Sequence, residues 1–195
     1  MSPAYGQAKS LSYLTIMLLQ IRLPNHDEAL AFNRQRWAEV SVDPQWNDFP
    51  GRIETNGFGQ IIMTPPAGGM HSGRQGQIVY EIRRLLGNHV LPECPILTID
   101  GVKAADVGWF SPSRYVGVRG QSVFEIAPEI CVEVLSPRNT AAEMQAKREL
   151  YFNAGAIECW TCDLYGQMSY YDRDQPDTPL NQSNLSPEFP SFIVG

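Results

Sequence analysis

The chain has 195 residues and a mass of 21.8 kDa, the size of one compact domain. It is 43% hydrophobic and 18% charged, so it can bury a full core and is not intrinsically disordered. Fifteen Lys and Arg against 21 Asp and Glu give a net charge of -6, which excludes coating of nucleic acid by bulk charge but not action on it at a small local site. The longest apolar run, Leu11 to Leu23, is broken by Ser12, Thr15, Gln20 and Arg22 and is too short to span a bilayer. No secretory signal is expected. Cys94, Cys131, Cys159 and Cys162 lie in apolar segments and read as reduced core residues of a cytoplasmic protein.

Residues 1–16 read as an irregular, weakly ordered extension, with Met17 a candidate start. Asn25 with Glu28 three residues on opens a helix that runs to about Val40. A linker from Pro44 to Pro50 leads to two strands, 52–55 and 60–64, joined around Asn56-Gly57, a strong hairpin signal. Ser72, with Gln75 at the capping-box position, is the expected start of a second helix, whose stripe is Ile78, Ile82, Leu85 and Leu86 and whose stop is Gly87. Strands follow over 95–100 and 102–110, then a long loop over 111–128 and a strand over 129–135. Thr140 with Glu143 caps a third helix that Gly155 ends. Strands over 157–163 and 167–172 precede a proline-rich extended tail, 173–195. This order describes an α/β domain with a helix on each side of a sheet.

Three ionisable residues fall on apolar faces. In Glu129–Leu135 both faces of the strand are apolar, as in a central strand, yet one carries Glu133. A buried carboxylate costs several kcal/mol unless it is paired, protonated or bound to metal. Asp106 poses the same question on the 102–110 strand, where Gly108 leaves room for a ligand or a second carboxylate. Lys147 shares a helix face with Met144, Leu150 and Tyr151 and can aim at Glu133, while Arg148 and Glu149 point outward. Two acids and a Lys around a hard divalent cation suit hydrolysis of a phosphodiester. The alternatives are a snorkelling Lys147, an Asp106 held by loop amides, and a structural Glu133–Lys147 ion pair.

The stretch Ala127-Pro-Glu-Ile-Cys-Val-Glu-Val-Leu-Ser-Pro-Arg-Asn-Thr140, with Lys147, Leu150-Tyr151, Ala154-Gly155 and Glu158-Cys-Trp160, closely resembles the Uma2 family (formerly DUF820) of the PD-(D/E)XK nuclease superfamily. Arg52-Ile-Glu-Thr-Asn-Gly57 and Gln60-Ile-Ile-Met-Thr-Pro65 are similar to its first hairpin, and Leu185-Ser-Pro-Glu-Phe-Pro190 to its closing segment; together the likeness covers about residues 50–193. The resemblance implies a restriction-endonuclease-like mixed central sheet flanked by helices, with an N-terminal helix and β-hairpin. Residues 1–50 would be an N-terminal extension and helix, and residues 51–195 the nuclease-like part of one compact domain.

The resemblance also implies roles. Asp106 and Glu133 match the two acids that hold Mg²⁺ or Mn²⁺, with the Val134 carbonyl as a third ligand. Leu135 stands where the half-motif Lys would be, and Lys147 is the replacement on the helix. Glu54 matches a further acidic site position, and Ala105 replaces the usual Pro. His71 lies where many members carry a His, a position more often structural. DNA is the implied substrate, and a homodimer the common form of enzymes that cut both strands.

Other signals fail. Cys159 and Cys162 fall on opposite faces of a strand, and no second Cys/His pair exists to complete a zinc site. No phosphate-binding Gly-rich loop or nucleophile elbow is present. Arg114 and Arg119 make the 111–128 loop basic and are candidates for phosphate contact near the Asp106 strand end. The rivals to a metal-dependent endonuclease are a non-catalytic nucleic-acid-binding or interaction module on the same fold, and a hydrolase of small phosphodiesters.

Overall fold

The computed structural model describes residues 25–46, 48–87 and 89–195; the readings at Met17 and Leu11–Leu23 lie outside the described residues. Helix α1 (His26–Val40) starts in the expected capping box: the Asn25 side chain accepts from the Glu28 amide, and the Glu28 carboxylate from the Asn25 amide. Its anchor is polar. Buried Asn33 donates to the carbonyls of Thr98 and Ile99 at 2.9 and 3.1 Å.

Strands β1 (Arg52–Thr55) and β2 (Ile61–Thr64) form an antiparallel hairpin. The reversal is longer than a two-residue Asn-Gly turn. Asn56 Oδ1 accepts from the amides of Phe58 and Gln60, both at 3.0 Å, and the left-handed residue is Gly59 (φ 74°) rather than Gly57.

The main sheet has the order β3 (Val90–Thr98), β4 (Gly101–Trp109), β5 (Ile130–Val134), β6 (Glu158–Cys162), β7 (Met168–Asp172). Every neighbouring pair is antiparallel except β5 and β6. That parallel pair needs a crossover, and α4 (Ala141–Asn153) supplies it. Thr140 and Glu143 form the capping box that launches α4. Helix α2 (Gly69–Leu86) covers one face, where Ile78 and Ile82 meet Val107, Ile130, Val132 and Trp160. On the α4 face, Tyr151 and Phe152 pack with Cys94, Phe110, Cys131 and Cys159. Central β5 is buried along its whole length.

Several boundaries and placements differ from those expected. Strand β3 begins at Val90, not Pro95, because it is an edge strand and tolerates Pro92 and Pro95. Helix α2 begins at Gly69, and Gly68 caps it without a side chain, so His71 and Ser72 lie inside it. The 111–128 stretch holds a helix, α3 (Pro112–Val118), with Ser111 as its cap and Pro112 in its first turn. The room at Gly108 is filled: an added Cβ would stand 2.8 Å from both Cys94 Sγ and Pro128 Cγ. Arg148 does not point outward; it lies 4.0 Å over the Tyr171 ring and donates to the Pro176 carbonyl. The tail folds back, burying Phe189 and Ile193. All four cysteines are buried and free, with Cys159 and Cys162 on opposite faces. Among the described residues no helix is long and apolar enough to cross a membrane.

Candidate active site

The site forms where β4 and β5 part. Their pairing ends at Val107–Val132, and the same register continued places Asp106 opposite Glu133. Beyond that point the Asp106 side chain replaces the ladder: its Oδ2 accepts from the Val134 amide at 2.6 Å. The hairpin covers the rest of β4. Thr55 Oγ1 accepts from the Val102 amide, and Glu54 Oε1 from the Ala104 amide at 2.7 Å. Gly101 makes this approach possible, since a Cβ there would sit 2.3 Å from the Thr55 carbonyl oxygen. Burial of Glu54 thus follows from strand chemistry, as a surrogate for a missing ladder bond.

Lys147 reaches this cleft from α4. Its Nζ lies 3.2 Å from each oxygen of Glu133 and 3.6 Å from Glu54 Oε1. Tyr151, one turn on, donates its hydroxyl to Glu133 Oε1 at 2.6 Å. A second cluster surrounds Asp106. Arg52 Nη2 contacts its Oδ1, and His71 Nε2 stands 3.3 Å from its Oδ2. Arg52 also forks onto Glu93, Nε at 2.6 Å and Nη2 at 2.9 Å, and Nη1 donates to the Ala104 carbonyl at 3.1 Å. Glu93 projects here because the β3–β4 register, the same on either side of it, places it opposite Asp106; its φ is 51°. Gln75 ties the groups together, donating to Glu93 Oε1 at 3.0 Å and to the Asp106 carbonyl at 2.7 Å.

The electrostatics divide the acids. Burial pushes Glu133 up to about 7; Lys147 opposes the rise and the nearby charge of Asp106 adds to it. Burial acts the same way on Asp106, but His71 and Arg52 outweigh it and hold that carboxyl below its ordinary value. His71 is raised by its bond to Asp106, and the Val134 carbonyl adds to the effect. Burial works against the Lys147 ammonium, yet Glu133 and then Glu54 raise it above the usual lysine value.

Glu54, Asp106, Glu133, Lys147 and His71 therefore share one cleft. Arg114 and Arg119 do not belong to it. Arg114 is turned inward at the other end of β5, donating to the carbonyls of Ala127 and Gly155 and lying 3.2 Å from Glu129. Arg119 is exposed at the end of α3. The sequence reading missed Arg52, Gln75, Glu93 and Tyr151. Arg52 lies two residues before Glu54, on the same side of a strand, and that spacing was the available signal.

Hard carboxylate oxygens are suitable donors for Mg²⁺ or Mn²⁺. Among the described residues, however, no three Asp, Glu, His or Cys side chains stand at metal-ligand spacing. Lys147 and Arg52 hold the acids instead.

The family model for Uma2, described as "Putative restriction endonuclease", matches residues 45–192. Among solved structures, the chain is similar to the crystal structure of "a putative nuclease belonging to DUF820" from Anabaena variabilis. The identity is 22% and the TM-score 0.54, over 66% of this chain and 74% of that one. No curated protein matches the chain.

Proposed function

The chain belongs to the Uma2 family, and on that premise we propose that it is a PD-(D/E)XK-type endonuclease that hydrolyses phosphodiester bonds of DNA with Mg²⁺ or Mn²⁺. One observation carries the reading: two buried acids face each other across parting strands, with a lysine from the crossover helix on one of them. The catalytic unit is placed in residues 51–195. Asp106 and Glu133 would hold the cation, with the Val134 carbonyl beside them. When bound, it would polarise the phosphate and acidify a water molecule.

The chain's own side chains do the rest. Tyr151 fixes the Glu133 carboxylate in one orientation. Lys147, raised on Glu133 with Glu54 behind it, presents an ammonium that stabilises charge on the phosphate oxygens in the transition state. His71 and the Val134 amide fix Asp106. The phosphate contact proposed for the 111–128 segment falls to Arg119, because Arg114 is committed to backbone carbonyls. Cytoplasmic residence agrees with four free thiols, and cutting of both strands would call for a homodimer.

The test is cleavage of plasmid and single-stranded DNA in Mg²⁺ and in Mn²⁺. Cleavage by the wild type and none by Glu133→Ala or Asp106→Asn is expected. No cleavage in either metal, or equal cleavage by Glu133→Ala, would sink the reading. A non-catalytic module on the same fold is favoured by the close pairing of each acid with a cation. It predicts no Asp106-dependent Mn²⁺ binding in calorimetry. A small-phosphodiester hydrolase would act on a nucleotide substrate panel and leave DNA intact.

A further inference from the structure

We propose that Arg138, at the tip of the turn between β5 and α4, is a phosphate anchor for the DNA strand, gripping the backbone about three nucleotides from the scissile phosphate. The proposal rests on the nucleic-acid part of the reading above and is independent of the cation.

Internal pairing leaves few side chains for that work. Arg34 is committed to Glu125, Arg84 to Glu81, Lys103 to Asp100, and Arg173 to the Ala156 carbonyl. Among the described residues, Arg119 and Arg138 are the exposed Lys or Arg side chains with neither a hydrogen bond nor an ion pair. Arg119 ends α3, whereas Arg138 stands between Glu133 on β5 and Lys147 on α4. No acid occurs from Leu135 to Ala142, and the Glu143 carboxylate accepts from the Thr140 amide in the α4 cap. A solvated guanidinium without an internal carboxylate gives up little on meeting a phosphate, and its planar fork matches the phosphate oxygens.

The backbone under Arg138 is fixed. The turn from Ser136 to Asn139 is closed by the Asn139 amide, which donates to the Ser136 carbonyl at 3.1 Å. Asn139 Oδ1 accepts from the Ser136 amide at 2.7 Å and from the Ser136 hydroxyl at 2.9 Å. Pro137 sets the first central position of the turn and Arg138 takes the second. The turn follows directly on the cleft wall, where the Val134 amide bonds Asp106, and leads into the Thr140 cap of α4. A phosphate bound there orders one side chain, because the backbone is ordered in advance. The spacing sets which phosphate it meets. Along the chain, Glu133 to Ser136 reaches about 10 Å when extended, and Thr140 to Lys147 about 10 Å as helix. At about 3.4 Å of rise per nucleotide, that is about three steps along one strand. Lys147 is thereby left to the scissile phosphate and Arg138 to a flanking one.

Fluorescence anisotropy of a labelled DNA duplex titrated with the full chain, in chelator and across a salt series, tests this without reference to cleavage. Arg138→Gln is expected to bind about fivefold more weakly at low salt, with a log–log salt slope shallower than that of the wild type by about one. Arg138→Lys is expected to keep the wild-type slope, because the positive charge is retained. Arg34→Gln, the same loss of charge at an ion-paired site, is expected to keep it too. Wild-type affinity and slope in Arg138→Gln overturn the anchor and leave the DNA reading standing. Weaker binding by Arg138→Gln with an unchanged slope also overturns it, since structural damage gives that result and loss of a phosphate contact does not. A slope lost equally in Arg34→Gln overturns it as well, because net charge alone then accounts for the change. Absence of DNA binding by the wild type at low salt overturns the anchor and the DNA reading together.

Discussion

Glu133 and Glu158 are both buried acids on adjacent strands, and their surroundings give them different work. Glu158 accepts from Trp160 Nε1, Ser183 Oγ and the amides of Asn184 and Leu185, at 2.6 to 2.9 Å. Four neutral donors satisfy it, and it pins the tail to the sheet. Glu133 has one hydroxyl and one ammonium, and it sits opposite another acid. Its carboxyl is pushed up to about 7 from an ordinary 4.5, mainly by burial. Between those values the folded chain holds more protons than the unfolded one, so stability falls as pH rises through that window and levels off above it. His71, raised above 6.5, extends the fall upward, and Asp106, lowered, removes stability only below about 3.8. Thermal midpoints without metal should therefore drop from pH 5 to pH 7 in the wild type and drop less in Glu133→Gln; parallel profiles would refute this assignment. Tyr151→Phe leaves a buried Glu133 oxygen short of its donor and should cost about 1–3 kcal/mol in urea unfolding.

At the scale of elements, the readable features are those with local causes. The capping boxes of α1 and α4 formed where Asn25–Glu28 and Thr140–Glu143 were spaced for them. Thr140→Ala should cost about 1 kcal/mol and shift the denaturant midpoint without changing the slope. Helix α2 starts where no side chain caps it, so Ser72 and Gln75 gave a false start signal; Gln75 instead serves the Asp106 cluster. Strand β3 was cut short because prolines signal breaks, and only the sheet order reveals an edge where they are harmless. Gly101 illustrates the converse. Its φ of 87° belongs to the tight β3–β4 turn, but the nearness of the Thr55 carbonyl comes from the hairpin docking on β4. Gly101→Ala should destabilise by more than 1 kcal/mol and lower activity by moving Glu54, whereas Gly76→Ala, a helical position with open space around it, should stabilise slightly.

Across the whole molecule, the net charge of -6 is only partly gathered at the cleft. Glu54, Glu93, Asp106 and Glu133 share one cleft with Lys147 and Arg52 among them, while Arg119 is exposed at the end of α3. Among the described residues few cations are left to meet a phosphate backbone, the exposed Arg119 and Arg138 among them. Binding to a DNA duplex in Ca²⁺ should accordingly be weak, with a log–log salt slope of about -1 to -2. A slope near that of a many-contact DNA binder would contradict this distribution of charge. Helices α2 and α4 both contribute to the cleft, the first with His71 and Gln75 and the second with Lys147. Ile78→Ala, in the α2 layer far from Lys147, should cost about 2–5 kcal/mol in stability. Its activity at low temperature should stay close to wild type.

What the amino-acid sequence determined by itself was the alternation of β5, the caps, the hairpin and the presence of Asp106, Glu133 and Lys147 on apolar faces. Each depends on residues a few positions apart, and a polar group on a greasy face announces itself without coordinates. The tertiary structure decided which groups meet. Arg52, Glu93 and Gln75 come from a hairpin, an edge strand and a helix, and each looks like an ordinary surface residue in its own segment. They converge because β4 and β5 part at Asp106 and the hairpin fills the gap, a consequence of strand register and docking that no local pattern encodes. Arg114 shows the same rule in reverse: a basic loop residue by sequence, it became a structural clamp once α3 turned it toward the Ala127 and Gly155 carbonyls. Burial makes each unpaired charge costly, so the fold, not the composition, selects the partner of every acid in the cleft.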